Sequence, residues 1–219
     1  MVSKQYKLIM LYPPKTGSIS LKNCFIDSNI YFDAFDRNYH QPNTHLYLSE
    51  LLDCFKIDNH EEYKIGQIFR DPYKRFVSAY YHFIPHLPQH FKTRSLKLND
   101  FVLKYEECLN SEDYIKCMYD DPEWVYRLIN NKINFGFTRY FVPQLKWNDI
   151  NANVRYFKFD DIVKDTNPLS QYTGLELQQF KHHNKNGHKF ENIETLNDRS
   201  MEILSRLYED DITYFQKII

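Results

Sequence analysis

The segment Pro13-Pro14-Lys15-Thr16-Gly17-Ser18-Ile19-Ser20-Leu21 has the make-up of an anion cradle. Gly17 gives the backbone freedom that lets a phosphate approach closely. Lys15 brings a mobile positive charge, and the Thr16 and Ser18 hydroxyls bring donors. Such a loop works where a strand gives way to a helix: the first N–H groups of the helix have no internal partner, and the helix dipole is positive there. The Walker A pattern, G-x-x-x-x-G-K-[ST], does not fit. No glycine stands five residues before Gly17, and Lys15 precedes that glycine instead of following it. A Lys- and Thr-rich turn without a ligand would have the same composition.

A second segment, Arg70-Asp71-Pro72-Tyr73-Lys74-Arg75-Phe76-Val77-Ser78, offers a planar guanidinium fork suited to a phosphate and, further along, one compact hydroxyl donor. Asp71 can cap a helix and Pro72 suits its first turn, so a helix from Asp71 carries Arg70 and Ser78 toward one end of a sheet. Taken alone, the segment also reads as a capped helix with a local ion pair.

Both segments need strands in front of them, and the sequence supplies these. Lys7 to Tyr12 is a compact apolar run ended by Pro13-Pro14, and Tyr63 to Phe69 is a second one leading into Arg70. Val154 to Phe159 alternates as a third strand. Helical spacing follows Gly17 (Leu21, Cys24, Phe25), spans 45–55, follows Pro72 (Phe76, Val77, Tyr80, Tyr81), and recurs at Asn99–Leu109, at Asp121–Ile129 and from Asp198 to the C-terminus. Residues 29–44 and 85–100 read as irregular. Strands separated by helices predict an α/β fold: a single domain over 1–219, with a central parallel sheet flanked by helices and a P-loop-like strand–loop–helix at the N-terminus. Residues 85–135 are the expected insertion or substrate-facing part.

Composition narrows the class. The 219 residues carry a net charge of -1, so no chain-wide basic field points to nucleic acid or an anionic membrane. No apolar run approaches the roughly 20 residues of a membrane span, and no signal-peptide pattern opens the chain. Cys24, Cys54, Cys108 and Cys117 form no C-x-x-C pair and no zinc spacing. A reduced, cytoplasmic, soluble protein with no metal is the expectation; its oligomeric state is not readable. The 18 Tyr and 17 Phe beside 5 Gly build a core from rings.

Together the two phosphate-seeking segments resemble the PAPS-dependent sulfotransferases (PAPS is 3′-phosphoadenosine 5′-phosphosulfate). Pro14-Lys15-Thr16-Gly17 is similar to that family's 5′-phosphosulfate loop, and Arg70 through Ser78 to its 3′-phosphate segment. The resemblance implies that Lys15 and the Thr16, Gly17, Ser18, Ile19 and Ser20 stretch hold the 5′-phosphosulfate, while Arg70 and Ser78 hold the 3′-phosphate, without a metal. Asn43-Thr44-His45-Leu46 looks like the stretch bearing the family's base histidine, which makes His45 the expected general base and Lys15 its catalytic partner. Asn43 replaces a lysine, and Ile19 a threonine, found in relatives. Glu50, Glu61 and Glu62 are reserve bases.

Asn99-Asp100-Phe101-Val102, Tyr140-Phe141-Val142-Pro143-Gln144, Tyr156 to Asp161 and Leu207-Tyr208-Glu209-Asp210-Asp211 look like landmarks of the carbohydrate sulfotransferase branch. The implied acceptor is a hydroxyl on a glycan or small molecule. The basic run Lys181 to Lys189 reads as a solvated loop or as a lid that closes Lys185 on the 3′-phosphate. Two other readings compete: a nucleotide-dependent kinase, which would need Mg2+ and a carboxylate to hold it, and a non-catalytic PAPS- or PAP-binding module, where PAP is the desulfated cofactor.

Overall fold

The apolar run after Lys7 becomes a strand buried on both faces. This strand, β2 (Leu8–Leu11), is covered at every position, as expected for the middle of a parallel sheet. Leu8 and Met10 pack into one apolar cluster and Ile9 and Leu11 into another, so the strand's alternation feeds two cores. A computed structural model describes residues 1–30, 32, 45–83, 96–110, 140–180 and 196–218. Among these, β2 lies between β1 (Val2–Ser3), which pairs with it antiparallel, and β3 (Lys64–Phe69), which pairs parallel. Strand β4 (Val154–Lys158) adds to β3, again parallel. The sheet order is β1-β2-β3-β4. The expected parallel sheet is therefore mostly parallel, with one short antiparallel edge strand.

Helices flank this sheet in one α/β domain. Helix α1 (Ser18–Asp27) buries Leu21, Cys24 and Phe25 against one face, and α2 (Leu48–Phe55) buries Leu48 and Leu51 against the other. Beyond them, α3 (Pro72–Phe83) and α4 (Leu98–Leu109) pack with the C-terminal helices around Phe76, Phe101, Tyr105 and Phe141. So α4, inside the span expected to face a substrate, turns Phe101, Val102, Tyr105 and Cys108 into the core. The helix expected at Asp121–Ile129 lies outside the described residues. Two short helices that periodicity did not single out follow β4: α5 (Phe159–Lys164) and α6 (Asn167–Thr173). Among the described residues no helix is long and apolar enough to cross a membrane.

The helix expected to run unbroken from Asp198 is two helices, α7 (Asp198–Leu207) and α8 (Glu209–Lys217), which meet at Tyr208. Tyr208 has φ -119 and ψ 24, off the helical values. The break has a packing cause. The buried Tyr208 hydroxyl donates to the Phe141 carbonyl, and the buried Asp211 carboxylate accepts from the Gln144 N–H at 2.6 Å and the Leu145 N–H at 3.0 Å.

Candidate active site

Because β2, β3 and β4 run parallel, their C-terminal ends share one edge of the sheet, where open α/β sheets bind ligands. β2 runs into the Tyr12–Gly17 loop, β3 into Arg70, and β4 into Phe159. The loop turns sharply because two residues adopt positive φ: Lys15 at 67° and Gly17 at 85°. For lysine that conformation is strained, and it is held by contacts. The Thr16 hydroxyl donates to the Pro13 carbonyl at 2.7 Å, so it braces the loop from inside. Thr16 and Ser20 are buried, Ser18 is half-buried, and Ile19 is 50% exposed. The Ile19 side chain thus faces solvent at the mouth of the helix.

Gly17 is fixed twice over. Beyond its positive φ, a Cβ there would stand 2.4 Å from Cε2 of Phe159. The same ring carries the Arg70 guanidinium, 5.4 Å from its centroid, a cation–π distance. Arg70 also donates from Nη1 to the Lys15 carbonyl at 3.0 Å. The loop and the arginine after β3, segments 55 residues apart, are therefore in direct contact. Burial, and secondarily the Arg70 charge, lower the Lys15 amine to about 8. Burial likewise lowers Arg70, against Asp160 and Asp71, which raise it.

Helix α3 begins as the sequence suggests, with the Asp71 carboxylate accepting from the Lys74 N–H at 2.9 Å. Ser78 lies midway along it and is buried. Behind Arg70 stands Gln144, whose side-chain amide grips the Arg70 backbone from both sides: Nε2 donates to the Arg70 carbonyl at 2.8 Å, and Oε1 accepts the Arg70 N–H at 2.9 Å. Gln144 is in turn held by Asp211 and by the Gln67 amide, which donates to its carbonyl at 3.1 Å. Two segments noted in the sequence as landmarks, 140–144 and 207–211, thus form one buried brace for the arginine.

His45 is at the same edge. Its Nδ1 lies 2.9 Å from the Tyr12 carbonyl, directly before the loop. A carbonyl only accepts, so Nδ1 carries the proton in this bond, and in the neutral ring Nε2 then holds the lone pair. The rings of Tyr12, Tyr140 and Trp147 surround the imidazole at 5.6, 5.8 and 6.3 Å. Trp147 is fully buried and its Nε1 has no hydrogen-bond partner among the described residues.

Of the reserve bases, Glu50 accepts from the Tyr47 N–H at 2.8 Å and so serves the start of α2. Glu61 and Glu62 lie before β3, at the opposite end of that strand from Arg70, and Glu62 pairs with Lys7 at 3.0 Å. Asn43 and Lys185 lie outside the described residues. Phe159, Gln144 and Tyr12 touch Arg70 or His45 at this edge; sequence reasoning gave them no role there, although each sits within or beside a segment it had quoted. Among the described residues no group of His, Cys, Asp and Glu side chains converges as a metal site.

A family model described as the sulfotransferase family matches residues 1–217. No curated protein is significantly similar to the chain. With the match spanning nearly its whole length, the chain belongs to the sulfotransferase family, and sulfuryl transfer is its family's reaction.

Proposed function

We propose that this sulfotransferase uses PAPS as donor and sulfates a hydroxyl on a carbohydrate acceptor, with His45 as general base. The observation that carries the reading is the meeting of three groups at one sheet edge: the Lys15–Gly17 loop, Arg70 tied to it, and His45 tied to Tyr12 just before it. The donor set suits the cofactor. The sharp turn at Lys15 and Gly17, the lysine side chain and the opening of α1 make an anion cradle, while Arg70 and Ser78 supply a second phosphate subsite. Lys185 would complete that subsite from the 181–189 run.

PAPS brings the sulfuryl group on a 5′-phosphate that leaves readily. The chain's own work is threefold. The Thr16–Ser20 backbone and Lys15 bind and orient the phosphosulfate. Lys15 meets the negative charge that grows on the leaving phosphate. His45 takes the acceptor's hydroxyl proton at Nε2, with the Tyr12 carbonyl holding the tautomer and, in the charged ring, stabilising the imidazolium. The carbohydrate choice rests on the 140–144 and 207–211 landmarks.

Thermal denaturation in EDTA with PAP, or with ATP and Mg2+ in a buffer without EDTA, tests the donor. At a hundredfold excess over Kd, PAP should stabilise the fold by about 2.7 kcal/mol. Stabilisation by ATP and Mg2+ but not by PAP would replace this reading with the kinase one.

A further inference from the structure

Arg70 touches more than a remote phosphate could explain. Its guanidinium is bonded to the carbonyl of Lys15, the strained residue of the loop, and its backbone is gripped by an amide that has no other evident task. We propose that Arg70, aimed by Gln144, is a positioning residue for the 5′ side of the cradle: it holds Lys15 in the left-handed conformation on which the loop's shape depends.

The argument is geometric. A positive φ at a residue with a Cβ persists only where its surroundings over-determine it. Two contacts restrain the backbone at Lys15: the Thr16 N–H bond to the Pro13 carbonyl at 3.4 Å, which closes a turn with Pro14 and Lys15 at its centre, and the bond from Arg70 Nη1 to the Lys15 carbonyl at 3.0 Å, which ties that turn to the end of β3. The second bond forms only if the guanidinium is directed back across the sheet edge. Two contacts direct it: the Phe159 face under the guanidinium, and the Gln144 amide, which fixes both polar groups of the Arg70 peptide. Gln144 cannot drift, because it is fully buried and Asp211 and Gln67 hold its own backbone groups. A guanidinium has five N–H donors, so one bond to Lys15 leaves others for the 3′-phosphate. Binding at one phosphate subsite is thereby coupled to the shape of the other.

This inference rests on the PAPS reading for its ligands, and the experiment separates the two. The probe is AMP, which has the 5′-phosphate and lacks the 3′-phosphate, titrated calorimetrically against PAP. If Arg70 only contacts the 3′-phosphate, Arg70→Ala weakens PAP and leaves AMP untouched. If it positions Lys15, Arg70→Ala weakens AMP as well, by about tenfold, the low end for a charge-assisted hydrogen bond. Gln144→Leu should weaken AMP in the same direction, and adding it to Arg70→Ala should cost nothing further, which a general loss of packing would not produce. Gln144→Glu, isosteric and still able to accept the Arg70 N–H, serves if the leucine variant does not fold. A crystal structure of ligand-free Arg70→Ala gives the second readout: φ at Lys15 should leave the positive region. Unchanged AMP affinity, or Lys15 still at positive φ in that variant, overturns the inference. A wild-type protein that binds neither AMP nor PAP sinks the donor reading, while the ligand-free structure still decides the role of Arg70.

Discussion

Gly17→Ala should damage both the fold and the cofactor site, through two separable costs. The first is conformational: at φ 85° a Cβ meets the neighbouring carbonyl, a penalty of about 1–2 kcal/mol. The second is steric. The added methyl would stand 2.4 Å from Cε2 and 2.8 Å from Cδ2 of Phe159, well inside contact distance. That ring is buried, packs edge-on to Phe180 with centroids 6.1 Å apart, and carries Arg70 on its face. It has little room to retreat, and overpacking of this kind costs about 1–3 kcal/mol. The sum is about 2–5 kcal/mol, a large share of the roughly 5–15 kcal/mol that keeps a domain folded. Urea denaturation followed by circular dichroism reads it directly. A cycle with Phe159→Leu separates the parts: the double variant should be more stable than the two single losses predict, by the steric share alone. Gly17→Ala with wild-type stability, or strict additivity in the cycle, would refute the reasoning.

Three further outcomes follow from the same geometry. Lys15 has a lowered amine near 8, and PAP favours its charged form; PAP affinity should be flat near pH 7 and fall as pH rises through about 8, and a profile flat to pH 9.5 would contradict this. His45→Ala should leave PAP affinity unchanged and reduce turnover by about 10²–10⁴, measured as sulfate transfer to an identified acceptor. Asp211→Asn sets an amide against the Gln144 and Leu145 N–H groups; it should cost about 1–3 kcal/mol of stability and weaken PAP as well, since Gln144 aims Arg70.

The elements that position the site were legible because each is local. Strand β2, the glycine turn and α1 announce themselves by an apolar run, a breaker and a change of period within twenty or so residues. The Asp71 cap and Pro72 mark α3 in the same way. What stayed hidden is non-local. Nothing in the spacing of Gln144 says that it grips a backbone 74 residues earlier. Nothing in Asp211 says that it turns inward; its neighbours Glu209 and Asp210 are exposed, and a charged triplet reads as solvated face. The break at Tyr208 has no glycine or proline to signal it, because tertiary hydrogen bonds impose it. Glu61 and Glu62 were reserve bases by side-chain type alone; their place before the strand that Arg70 follows already sets them at its opposite end.

The strain at Lys15 leaves a stability signature that can be tested without any ligand. At an ordinary loop position, replacing glycine by alanine stabilises a protein by about 0.4–1 kcal/mol, because the unfolded chain loses freedom. At positive φ the order reverses, since alanine keeps the Cβ penalty of about 1–2 kcal/mol and glycine does not. Lys15 has φ 67°, so Lys15→Gly should be more stable than Lys15→Ala by about 1 kcal/mol. Both variants lose the amine whose burial is unfavourable for the charged form, so that change cancels between them. Both should also lose most of their affinity for PAP, since the cation is gone in each. On the proposed reading, the strain at Lys15 is the cost of placing a cation in the cradle, which glycine would not supply. Urea midpoints of the two variants, measured without ligand, decide the matter. An alanine variant more stable than the glycine one would mean that Lys15 does not adopt positive φ in solution, and the loop's shape would need another account.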